Sequence, residues 1–190
     1  VTGWQHPPVT TRYTVRPVRA HEWREIRTLR LRALSDEAAP MAFVESHGDA
    51  AARPDGFWQG RAQASSLEAG PRAGARQFVA VTDDGTWVGT AAVLIEEAGD
   101  ADFEGRVVEE AGGHVVGVFL HPEHRGRGVM DSVLQAATDW LRERGSSRAR
   151  LYVHADNARA QRCYERSGFR PTGARFTGTM GPEIEMTRAL

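Results

Sequence analysis

The sequence predicts an α/β fold: one domain on a mixed, mostly antiparallel sheet with helices on both faces. Three observations predict it. Segments with apolar residues at strand-like spacing are interleaved with segments whose apolar residues recur every third and fourth position. No repeat or linker interrupts them. And 190 residues suit a single domain of about 100–200 residues.

Residues 1–11 are polar and Pro-containing, and read as a flexible tail before a domain spanning 12–190. Arg12 to Val18 alternates as a strand. Pro17 has no N–H for a ladder, which places that strand at an edge. From Glu22 to Leu34, Trp23, Ile26, Leu29 and Ala33 recur at helical spacing. A looser stretch containing Pro40, Gly48 and Pro54 follows, and Phe57 to Leu67 reads as a second helix. Gln77–Thr82 and Trp87–Ile95 are β-rich, and Asp84-Gly85 between them is a hairpin signal. Glu96 to Glu110 holds seven acids and one arginine. It reads as a solvated loop or hairpin tip, with a lure for a cationic substrate as the functional alternative. His114 to Leu120 is nearly all apolar, as expected of a strand covered on both faces. A helix follows, with Val129, Val133, Ala136, Ala137 and Trp140 on its apolar face and Gly145 as its stop. Arg150–Val153 is a short strand. Asp156 or Asn157 caps a helix through Ala160, Cys163 and Tyr164 that Gly168 ends. Phe169–Thr177 and Ile184–Leu190 close the sheet.

Composition excludes several classes. The chain has 24 basic and 25 acidic residues, a formal net charge of −1. That balance argues against nucleic-acid coating and against a polybasic membrane surface. No apolar run approaches the ~18 residues of a membrane span, and the opening VTGWQHPPVT lacks a signal-peptide core. All 24 cations are arginine, so there is no lysine for a Schiff base or a P-loop. Cys163 is the single cysteine, which excludes an intrachain disulfide and fits a reducing cytoplasm.

The informative unit is the strand, turn and helix from Val116 to Leu134. After His121-Pro122 comes Arg125-Gly126-Arg127-Gly128, then a helix start. Glycines let successive N–H groups converge on an anion, and a helix start adds unpaired donors and its positive dipole end. The unit reads as a pyrophosphate cradle. It is not a dinucleotide fingerprint, because Asp131 stands where the third glycine belongs, and without lysine it is not a Walker loop. A Gly-x-Gly turn alone is equally an ordinary tight turn.

A second segment adds weight: Asn157-Ala158-Arg159-Ala160, then Tyr164 and Gly168-Phe169. The two segments, about thirty residues apart, resemble the GNAT superfamily of acyl-CoA-dependent N-acyltransferases. Arg125-Gly126-Arg127-Gly128-Val129-Met130 is similar to the family's first motif. Asn157, Ala160, Tyr164, Gly168 and Phe169 match its second. The resemblance is most specific over residues 113–170 and implies a sheet with a splayed central strand pair.

It also implies roles. Acetyl-CoA would be the cosubstrate, and a small-molecule or peptide amine the acceptor, attacking directly in a ternary complex. The backbone of Val118, Phe119 and Leu120 would bind pantetheine, with one N–H from Val118 or Phe119 on the thioester carbonyl, where an oxyanion develops. Gly117 would ease a bulge there. Backbone amides from Gly126, Arg127, Gly128, Val129, Met130 and Asp131 would hold the pyrophosphate, with Arg125 and Arg127 adding charge. Met130 departs from the family's usual Gly or Ala, and Asp131 is unfavourable near phosphate unless turned away. Asn157 would bond the pantetheine amide or cap its helix. Tyr164 would be the general acid, a phenol returning a proton to the leaving thiolate.

The base is not fixed by the motifs. Where some relatives place Glu or His, this chain has Tyr152, a poor base. His114, His121 and Glu45 are candidates, with His154 and His47 beside them. Water or a partly deprotonated amine would also serve. His121 and His124 with His114 nearby could suggest zinc, but the spacing is not that of a metal motif, so no metal is expected. Cys163 reads as a packing residue. The alternative to an enzyme is a CoA-binding sensor with little turnover. Nucleic acid and membrane are not expected partners, and the chain would be a monomer or homodimer.

Overall fold

The computed structural model describes residues 11–190; the predicted tail, apart from Thr11, lies outside the described residues. Seven strands form one sheet in the order β1-β2-β3-β4-β5-β7-β6. They are β1 (Tyr13–Pro17), β2 (Ala75–Thr82), β3 (Trp87–Glu96), β4 (Gly112–Leu120), β5 (Arg148–His154), β6 (Arg170–Gly178) and β7 (Gly181–Ala189). The helices are α1 (Trp23–Leu34), α2 (His47–Ala52), α3 (Asp55–Ser65), α4 (Val129–Glu143) and α5 (Ala158–Arg166). β1, which carries Pro17, is an edge strand. Every strand pair is antiparallel except β4 with β5.

Alternation sorts the sheet into two faces. Phe78 and Ala80 of β2 join Val133, Leu134, Ala137 and Leu141 of α4 in one apolar cluster. Val79, between them, joins Ile26 and Leu29 of α1 and Trp58 of α3 in the other. Each large aliphatic side chain so buried contributes about 1.5–3 kcal/mol. Leu151 and Val153 of β5 and Ile184 and Met186 of β7 also face α4 and α5. Over β5 and β7 the opposite face is polar: Arg150, His154 and Glu183 are buried there, and Asp102 of the loop after β3 lies against Arg150.

One expectation is corrected and one is refined. The stretch around Gly48 contains a helix, α2, whose N-cap Ser46 accepts from Asp49 N–H at 3.1 Å. The acidic segment is a largely exposed hairpin tip between β3 and β4, bridged at Ala101 and Val107, with only the Asp102 side chain and Val108 turned inward. On α4, Met130, Leu134 and Leu141 are buried, while Ala136 and Trp140 lie at the margin.

Candidate active site

The parallel pair β4 and β5 begins in register at Gly113↔Ala149 and His114↔Arg150, and no pairing follows. The strands splay from there, so the β5-facing N–H and C=O groups of β4 lose their sheet partners. A cavity of about 530 Å³ opens along the gap. Its walls include Val115 to Leu120, Gly126, Gly128 to Asp131, Asn157 and Tyr164.

β4 also bulges on its other edge. Thr90 pairs with Phe119 but Ala92 pairs with Val116, so Ala91 stands opposite both Gly117 and Val118. Gly117 has φ +62°, a conformation that glycine adopts without a Cβ penalty. The extra residue reverses the alternation. Val115 faces α4, yet Phe119, at the same parity, packs with α1 and α3.

The turn before α4 fits an anion. Gly126 and Gly128 both have φ +75°, and a Cβ at either would meet nothing within 4 Å. Gly128 is the N-cap of α4 and offers no side-chain cap, so the first N–H groups of the helix are unclaimed donors. Met130 turns its side chain into the core, 5 % exposed. Asp131 accepts from the Ser167 hydroxyl at 3.0 Å, which ties its carboxylate to the end of α5. Arg125 borders the cavity, donating through Nε to Leu120 O at 2.9 Å and through Nη2 to Asp36 at 2.6 Å. Burial works against the Asp36 charge, but the Ala38 N–H and the Arg125 guanidinium outweigh it and hold the carboxyl below its usual range. Arg127 is exposed, does not line the cavity, and reaches the Tyr13 hydroxyl at 3.4 Å.

Asn157 caps α5, accepting from Ala160 N–H at 3.1 Å, and also lines the cavity. Tyr164 is buried with its ring against Phe169. Burial pushes its phenol well above the ordinary value. No hydrogen bond to its hydroxyl is found among the described residues. Cys163, next to it, has its thiol pushed up by burial.

The base candidates separate. His114 is fully buried, lines the cavity, and carries Nδ1 2.8 Å from Glu96 Oε1, while Nε2 has no partner among the described residues. Phe103 lies over it with ring centroids 4.9 Å apart, and Tyr152 meets it edge-on at 4.6 Å. Glu45 is taken by Arg30 and Arg53 and does not line the cavity. His121 is also off the cavity, with Glu123 3.8 Å from its Nδ1. His154 accepts at Nδ1 from Asp156 N–H, and His47 is exposed on α2. Tyr152 is pushed up to about 12 by burial and by its hydrogen bond to Asp102. Two groups offer ligand atoms within 4.8 Å of one another: His121, Glu123 and His124, and Glu96, Asp102 and His114.

Sequence reasoning missed the Glu96–His114 pairing, Asp36 and Asp102. Glu96 and His114 are 18 residues apart, and only the register Glu96↔Gly112 and Leu94↔His114 makes them diagonal neighbours. No local pattern announces that.

The Acetyltransferase (GNAT) family model matches residues 23–169, most of the chain and both segments of the cavity wall. The chain belongs to this family. It is 34 % identical over 121 residues to the streptothricin acetyltransferase of Streptomyces lavendulae, covering 64 % of this chain and 58 % of that one. It is 41 % identical over 66 residues to the mycothiol acetyltransferase of Beutenbergia cavernae, covering 35 % of this chain and 22 % of that one. The chain thus spans well under two thirds of these curated relatives. Among solved structures, yncA from Salmonella typhimurium with its cofactor acetyl-CoA superposes with a TM-score of 0.64. It covers 94 % of each chain at 19 % identity, a likeness of fold. Among the described residues, no helix of this GNAT protein is long and apolar enough to cross a membrane.

Proposed function

We propose that the chain is an acetyl-CoA-dependent N-acetyltransferase that passes an acetyl group directly to a small amine. The observation that carries the reading is the splay of β4 from β5, bulged at Gly117 and leading straight into an uncapped, glycine-turned helix start. The residues fit the cosubstrate. The β5-facing amides of β4 accept an extended amide-bearing arm, and the start of α4 accepts a pyrophosphate. When bound, acetyl-CoA supplies an activated acyl group as a thioester.

The N–H of Val118 or Phe119 polarises the thioester carbonyl. Asn157 orients the arm with the amide group that its cap leaves free. Tyr164, a phenol protonated at neutral pH and raised further by burial, gives its proton to the departing sulfur. His114, backed by Glu96, takes the proton from the acceptor ammonium. Four residue steps separate His114 from Val118, about 13 Å at 3.3 Å each, so that proton travels through water. Arg125, Gly126, Arg127, Gly128, Val129, Met130 and Asp131 form the pyrophosphate turn through their backbone, with Met130 turned into the core and Asp131 tied to Ser167. The names of the relatives, mycothiol and streptothricin acetyltransferases, support a small molecule as acceptor.

Release of free thiol from acetyl-CoA, measured across a panel of amines, tests this. Thiol release that depends on an added amine is the expected outcome. Tight acetyl-CoA binding with no turnover on any amine would instead mark a binding domain.

A further inference from the structure

Arg150 does not border the cavity, yet four residues converge on it. Its Nε donates to Glu96 Oε2 at 2.7 Å and its Nη2 to Glu96 Oε1 at 2.9 Å. Nη2 also donates to Asp102 at 2.9 Å, and Nη1 to Glu185 at 3.1 Å and to the Tyr152 hydroxyl. Tyr152 in turn donates to Asp102 at 2.6 Å. The Arg150 side chain is 4 % exposed and that of Asp102 0 %.

The fork on Glu96 governs the imidazole beyond it. Burial works against the Glu96 charge, but the hydrogen bonds from His114 and Arg150 outweigh it and lower its pKa. An ionised carboxylate only accepts. The proton between Glu96 and His114 therefore sits on Nδ1, and in the neutral ring Nε2 carries the lone pair. The Asp102 contacts fix the neighbouring Phe103, whose ring covers His114. Lysine carries the same charge but cannot make the planar two-point contact.

We infer that Arg150 is a positioning residue, holding Glu96 so that His114 keeps Nδ1–H with Nε2 free, and Asp102 so that Phe103 shields the ring. The inference rests on the reading of His114 as the base. The groups facing His114 are Glu96 from β3, Asp102 from the loop and Tyr152 from β5, with Glu185 of β7 reached through Arg150.

The experiment compares the intact protein with Arg150→Met and Arg150→Lys. Long-range proton–nitrogen NMR on ¹⁵N-histidine protein reads which ring nitrogen of His114 carries the proton. The intact protein is expected to show Nδ1–H. Arg150→Met is expected to give a mixture of tautomers, and Arg150→Lys a smaller change. In turnover, Arg150→Met should lower kcat about 10-fold, as expected when a positioned base is disordered. The KM for acetyl-CoA should hold. An unchanged tautomer in both variants would overturn the inference, even if stability fell. If Arg150→Met does not fold, Arg150→Lys carries the same two readouts. His114→Ala is the separate control: full activity there would sink the base reading, while the tautomer still reports on Arg150.

Discussion

At the scale of the residue, Tyr164 is the clearest case of one side chain with a place in both the core and the proposed site. Its ring belongs to the core beside Phe169, and the residue lines the cavity. Tyr164→Phe keeps the ring and removes only the proton. It should lower kcat by about 10- to 100-fold, within or below the range of positioned acids, and leave acetyl-CoA affinity nearly unchanged. Steady-state kinetics with a binding titration checks this, and undiminished kcat would remove Tyr164 from the acid role. This residue was legible because its motif is local. Residue-level detail that depends on neighbours was not. Met130 looks obstructive in sequence, but only its packing into the core shows where the side chain goes. Asp131 looks repulsive until Ser167 is seen holding it.

At the scale of the element, β4 lines most of the proposed site. HVVGVFL reads as one apolar strand, and the strand is there. The reversal of its faces was illegible, since apolar residues on both sides of the bulge hide which face each one takes. Only the register with β3 reveals it. The acidic segment after β3 was legible as a hairpin tip, but not which of its acids are held. Composition describes its charges but not Arg150, Tyr152 and Thr179, which bind Asp102 and Glu104. Short α2 was hidden by Gly48 and by alanines without an apolar period. Gly117→Ala tests the bulge. A cavity side with open space does not relieve the φ of +62°, and an L-residue there costs about 1–2 kcal/mol. The strand regains part of that by straightening, which moves the Val118 and Phe119 amides. Acetyl-CoA affinity should fall about 10-fold, the equivalent of about 1.4 kcal/mol, with the melting temperature lowered only modestly. Calorimetric titration checks it. Unaltered affinity would mean that the bulge does not aim those amides.

At the scale of the whole molecule, β5 and β7 gather buried charge on the face away from α4 and α5, and pH reads that arrangement. Glu96, Asp102 and Asp36 have pKa values held below the ordinary range by hydrogen bonds and neighbouring arginines that outweigh burial. Each adds stability above its unfolded pKa, and that stability is lost as pH falls through the folded value. Glu183 does the reverse. It is 1 % exposed, neither carboxylate oxygen has a partner among the described residues, and the carboxyl is pushed from 4.5 up to about 7. Burial is the main cause, with the charges of Glu104 and Asp102 behind it. Between those two pH values the unfolded chain has released its proton and the folded chain has not. Stability therefore declines as pH rises from 4.5 to about 7, and above that the penalty is constant. Glu183→Gln keeps the shape and removes the titration. Its melting temperature should exceed that of the parent by about 3 °C or more at pH 8, and the difference should shrink as pH falls towards 5. Differential scanning calorimetry across that range checks both signs. A variant less stable than the parent at pH 8 would show that Glu183 is ionised and paired in solution.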